Sequence, residues 1–194
     1  MNEADPRVKR THKLLHDSLS SLLAERSFHA ITVRDIAERA NVNRATFYHH
    51  FEDKHVLLDS LVLEWFQQKL RRRVSTQSSF NLGDLRVVIV TVLESVAGFH
   101  GCKKGRDIYP LVEAKLQKGL QEFIMEWMGQ HPAGGDPPQT PQETVATVLS
   151  WAIFGAGIEW CRGPRTISAD ELGEQVQDLL THGLSIDFVA AGKI

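Results

Sequence analysis

The sequence predicts an all-α fold: an N-terminal three-helix unit containing a helix-turn-helix over residues 1–53, followed by a helical body over 54–194. Three observations carry the prediction. Capping-box patterns at Thr32/Asp35 and Ser168/Glu171 mark two helix starts locally. Apolar residues recur at helical spacing through residues 8–23 and 57–70. The apolar run from Val87 continues to Phe99, which is too long for an ordinary strand.

The first helix is expected from about Arg7 to Arg26, with Val8, Leu15, Leu19, Leu22 and Leu23 on the face that covers the next two. Thr32 caps a short second helix, and Asp35 reaches back as the reciprocal acceptor. Ile36, Ala37 and Ala40 form its apolar face, and the two alanines allow a close crossing. Asn41 stands where the chain must leave the helix through a left-handed conformation, which Asn tolerates. Val42 plugs the turn, and Asn43 caps a third helix from Arg44 to about Phe51. In that helix the i, i+4 pair Phe47 and Phe51 turns inward. Arg44, Ala45, Thr46, Tyr48 and His49 remain on the outer faces, a set of donor, methyl and aromatic groups that can meet base edges and phosphates in a DNA major groove.

The stretch Thr32-Val-Arg-Asp-Ile-Ala-Glu-Arg-Ala, then Val42, Thr46-Phe-Tyr-His-His-Phe, Lys54 and Leu57-Leu58, resembles the DNA-binding domain of the TetR family of bacterial transcription regulators. The likeness spans roughly Arg7 to Leu63. Asn41 and Ser27 stand where that family commonly has Gly, and both tolerate turns. The resemblance implies that Arg44, Ala45, Thr46, Tyr48 and His49 line the groove, that Arg34 reaches a base or phosphate, and that Thr32, His50 and Lys54 hold the DNA backbone. It also implies a homodimer on a double-stranded operator, released by a small-molecule effector, with the protein acting as a repressor. The other reading is an interaction protein or co-activator with weak DNA binding of its own.

Charge placement has to decide between these readings, because the chain has a net charge of −2 and nine Lys/Arg balance nine Asp/Glu in its first sixty residues. A phosphate beside His49 or His50 would favour the protonated ring, so operator affinity is expected to rise as pH falls. The His12/His16 pair at i, i+4 reads as packing rather than as a metal site.

Lys54 to Val74 is expected to form a long helix, with Leu57, Leu58, Leu61, Val62, Trp65, Phe66 and Leu70 on its apolar face and a loop at Ser75–Ser79 after it. A buried helix follows from Leu82 to Phe99, then a turn at Gly101–Gly105. The next helix runs from Arg106 to Met128, with Pro110 in its first turn or at a kink. Gly129–Thr140 is a Pro/Gly-rich loop. A helix from Pro141 to Cys161 and one opened by Ser168 complete the chain. Gly155 and Gly157, with the Leu172, Val176, Leu179 and Leu180 stripe, are the expected dimer interface. Trp65, Phe66, Phe99, Tyr109, Met125, Trp127, Trp151 and Phe154 are the candidate lining of an effector pocket.

Cys102 and Cys161 lack metal-ligand spacing and read as separate reduced thiols. No nucleophile–base pair, paired carboxylates or cofactor loop stands at interpretable spacing, so no enzyme activity and no cofactor are expected. The polar N-terminus and the lack of a recognised 20-residue apolar run point to a cytoplasmic protein away from membranes.

Overall fold

The computed structural model describes residues 5–74, 81–101, 103–129 and 140–183, with the side chains of 103–106 left aside. The expected loops at Ser75–Ser79 and Gly129–Thr140 fall outside the described residues, apart from Gly129 at the end of a helix and Thr140.

Eight α-helices follow one another among the described residues: α1 (Pro6–Glu25), α2 (Val33–Arg39), α3 (Arg44–His50), α4 (Lys54–Arg73), α5 (Leu82–Gly101), α6 (Lys103–Gly129), α7 (Gln142–Arg162) and α8 (Ala169–His182). A single 3-10 turn at Phe28–Ala30 lies between α1 and α2. Both capping boxes form as their sequences require, Thr32 with Asp35 and Ser168 with Glu171. Each N-cap stabilises its helix by about 1 kcal/mol. Asn41 adopts φ 53°, and the Asn43 side chain accepts from the Ala45 amide at 2.9 Å to start α3. The whole helix-turn-helix is thus written in short-range hydrogen bonds.

Leu15, Leu19, Phe28, Ile31, Ile36, Phe47 and Leu57 are fully buried together, so α1 to α3 close over the first turn of α4. Arg39 fastens α2 to α1 through a two-point pair with Glu25, at 2.7 and 2.9 Å. His16 links α1 to α4, its Nδ1 2.9 Å from Glu64 and its Nε2 3.1 Å from the Ser60 hydroxyl.

In the body, α5 is the central helix, packed against α4, α6, α7 and α8. Its β-branched run Val87–Val92 is helical, and Val88, Ile89, Val92 and Leu93 are buried by these neighbours. Two glycines permit the crossings. A Cβ at Gly157 of α7 would stand 3.3 Å from Leu93, and one at Gly173 of α8 would stand 2.8 Å from Val90. The expected turn at Gly101–Gly105 is mostly helix instead: α5 runs to Gly101 and α6 starts at Lys103, with Cys102 between them outside the described residues. Pro110 lies in the interior of α6 rather than in its first turn. A helix that pairs with buried faces of α4, α5 and α7 tolerates the backbone donor that proline removes. By length and composition α7 is also apolar enough to cross a membrane, contrary to the expectation that no such run exists, and only 28% of that window is buried within the protomer.

Candidate nucleic-acid interface

The expected groove-facing set emerges on the surface of α3. Phe47, fully buried, and Phe51, 4% exposed, anchor one side of the helix to the head. Anchoring that side turns Arg44, Ala45, Tyr48 and His49 outward, all exposed, with Thr46 half-buried beside them. The Arg44 side chain makes no hydrogen bond or ion pair among the described residues, so its planar fork of donors is open to a guanine edge or a phosphate. Tyr48 is 51% exposed and packs edge-on against Phe47 at 5.5 Å, which limits its rotamers while leaving the hydroxyl in solvent.

Four expected contacts are placed differently. Arg34 is exposed but tied to Glu38 one turn on, with 2.7 Å between Nε and Oε1. Reaching DNA requires it to release that pair, which costs little at an exposed site. The Thr32 hydroxyl donates to Asp35 at 2.7 Å and accepts from the Asp35 amide at 3.2 Å, so it serves the helix cap first. The Thr32 hydroxyl and amide, with Arg26 beyond them, hold the Asp35 carboxyl at about 2, well below the usual carboxylate range.

Lys54, expected as a phosphate clamp, is already engaged within the free head. Its ammonium donates to the carbonyls of Ile31 at 2.7 Å, Phe28 at 3.0 Å and His29 at 3.4 Å, and it stands over the Phe28 ring at 4.7 Å. All three N–H donors therefore close the connection between α1 and α2, and burial pushes the group's pKa down. Nothing in the one-dimensional pattern distinguishes a lysine satisfied by three carbonyls from one that awaits a phosphate.

His50, expected to hold the DNA backbone, sits among other imidazoles in the free head. Its ring is edge-on to His12 at 5.1 Å and to His49 at 5.3 Å, and its Nδ1 is buried without a hydrogen-bond partner. Burial, then the two neighbouring imidazoles, push its pKa down, so the free protein favours the neutral ring. His49 stays exposed at the end of α3.

The residues expected to line an effector pocket do not converge on one cavity. Phe66, Tyr109, Trp127 and Phe154 are buried core, and Met125 is half-buried against it. The Tyr109 hydroxyl is buried without a hydrogen-bond partner, and burial drives its pKa upward. Only Trp65 and Phe99 meet at a cavity wall, their rings perpendicular at 5.6 Å. Trp151 is the clear departure: it is 59% exposed on the outer face of α7, where no other described helix covers it.

The expected dimer positions also divide. Gly157 and Val176 are buried inside the protomer, because α7 and α8 both pack on α5. Leu172 and Leu180 are half-buried against the core, whereas Leu179 is 49% exposed and a Cβ at Gly155 would meet nothing within 4 Å. Exposed Val148 and Trp151, missed as surface residues in the sequence, continue the stripe through Gly155 at helical spacing.

Residues 17–61 match the family described as bacterial regulatory proteins, tetR family. Over 189 residues the chain is 25% identical to the HTH-type transcriptional repressor KstR2 of Rhodococcus jostii (strain RHA1), covering 91% of each protein. Among solved structures it is similar to Thermus thermophilus FadR in complex with lauroyl-CoA, with TM-score 0.60 and 18% identity over 94% of this chain and all of that one. It is also similar to FadR of Bacillus subtilis in complex with stearoyl-CoA, with TM-score 0.51 and 20% identity over 89% of this chain and 98% of that one. At these identities the structural likeness concerns the fold.

Proposed function

We propose that the chain, whose residues 17–61 match the tetR family of bacterial regulatory proteins, represses transcription as a homodimer that reads a palindromic operator with α3 and leaves it when a small organic effector binds the body. The observation that carries this reading is the exposed, unpaired Arg44 on a helix whose opposite side is locked by Phe47 and Phe51. A rigid helix with a free bidentate donor near its N-terminus is what major-groove reading requires. The uncovered Val148, Trp151 and Leu179 face supports pairing of α7 and α8 with a second copy. Pairing would place two heads on half-sites about one helical turn apart.

One observation favours a second reading, in which the protein acts through another regulator with weak DNA binding of its own. Three arginines of the head are already paired within it: Arg26 with Asp35, Arg34 with Glu38 and Arg39 with Glu25. A gel-shift with the DNA upstream of the protein's own gene, competed with random duplex, separates the two. The repressor reading expects a complex that survives at least a hundredfold excess of random DNA, within the usual range of specificity ratios of about 10³ or more. Equal competition by both DNAs would favour the interaction protein.

A further inference from the structure

We propose that a cavity of about 420 Å3 between α1, α4 and α5 is a binding site for a small organic carboxylate with an aromatic or branched apolar body, held by Lys69. Its volume lies within the usual range for small-molecule pockets. Leu61, Val62, Trp65 and Phe99 form apolar walls, and Trp65 and Phe99 present perpendicular rings 5.6 Å apart. A flat apolar body stacked on one ring meets the edge of the other.

Lys69 supplies the selectivity. Its half-buried ammonium lines the cavity, stands over the Trp65 ring at 5.4 Å and donates to the Ser95 hydroxyl at 3.1 Å. That hydroxyl in turn donates to the Thr91 carbonyl at 2.6 Å. No carboxylate lies within ion-pair distance of Lys69 among the described residues. Glu94, which also lines the cavity, is paired with Arg73 at 2.8 Å. Burial lowers the pKa of the ammonium while Glu94 partly restores it and Arg73 opposes it. A cation drawn partly out of water, with one neutral acceptor for three donors, is compensated by an anion entering the apolar space beside it.

The position gives an occupant leverage. Ser20 belongs to the head, Leu61 to Lys69 to the connecting helix, and Glu94 to Phe99 to the central helix of the body. A molecule wedged there bears on all three. The effector role of this site rests on the repressor reading above, whereas carboxylate binding does not.

The test uses the purified full chain and calorimetric titration with 2-naphthoate and, as its uncharged counterpart, 2-naphthylmethanol. The carboxylate is expected to bind about tenfold more tightly than the alcohol, the advantage of one charge-assisted contact. Lys69→Met should erase that preference while leaving alcohol affinity in place. Gly98→Leu should weaken both probes at least tenfold by filling the cavity, since a Cβ at Gly98 meets nothing within 4 Å and the fold can accept it; far-UV circular dichroism checks that both variants remain folded. Equal affinities in the unaltered protein, a carboxylate preference that survives Lys69→Met, or undiminished binding by folded Gly98→Leu would each overturn the site. Binding that follows the expected pattern while operator affinity stays constant upholds the site and overturns its effector role.

Discussion

Helices α3 and α7 both hold large side chains in solvent, and the contrast between them is what the two proposed partners, DNA and a second copy, require. On α3 the exposed groups are Arg44, Tyr48 and His49, all with polar atoms that water satisfies in the free protein and that a groove can satisfy in the bound one. On α7 they are Val148 and Trp151, at 58% and 59% exposure, two large apolar side chains one turn apart in contact with water. The first surface suits a hydrated polyanion, and the second suits another copy of itself. A short helix can make the first kind of contact because its inner face is pinned by aromatic side chains. The second kind needs two helices, α7 and α8, already fixed against α5.

The largest expected effect breaks the apolar side of the comparison. Trp151→Glu should weaken self-association by about 2–4 kcal/mol, the cost of removing a central aromatic anchor, without unfolding the protomer, because the indole contacts mainly solvent within it. Sedimentation velocity over a concentration series reads this directly, and an unchanged dimer would place the interface elsewhere. Gly157→Arg is the contrasting variant: by forcing bulk against Leu93 and Val96 it should lower the melting temperature of the protomer rather than shift the association constant.

Next in size is the polar side. Arg44→Ala should cost about 1–3 kcal/mol of operator affinity and little affinity for random DNA if the guanidinium is bidentate to a guanine. Lys54→Met should behave oppositely, lowering stability by about 1–2 kcal/mol through the carbonyls it leaves unpaired, with the salt dependence of DNA binding unchanged. If Lys54→Met instead reduced the salt slope at full stability, the lysine would be a phosphate contact after all.

The smallest expected effect concerns pH. Burial pushes His16 down against the opposing pull of Glu64, and burial together with His12 and His49 pushes His50 down. Both shifts favour neutral rings in the folded head, so the unfolded chain binds protons first. Stability from this source is complete above the ordinary histidine value of about 6.5 and is lost as pH falls through it toward the lower folded values. Between pH 7.5 and 5.5 the melting temperature should drop, by no more than about 4 °C per kcal/mol lost in a chain of this size. His50→Gln should flatten the drop, and a melting temperature that rises on acidification would mean that the folded head holds these rings protonated.

The head was legible residue by residue, because its determinants are local. Thr32 finds Asp35 three positions away, Asn43 finds the amide of Ala45, Asn41 alone supplies the left-handed step, and Phe47 and Phe51 share a face by helical geometry. Such interactions depend on spacing along the chain, so spacing reveals them. The body followed from sequence only as a set of helices, since periodicity tells which face is apolar but not which neighbour covers it. Gly157 and Val176 turned inward and Trp151 outward because α5 took the centre, a choice made by the packing of four helices at once. The roles of Lys54 and Lys69 were likewise decided in three dimensions. One ammonium meets carbonyls 23 and 26 residues away, and the other faces a cavity whose walls come from three helices. A charge takes its function from the groups that surround it, and only folding brings those groups together.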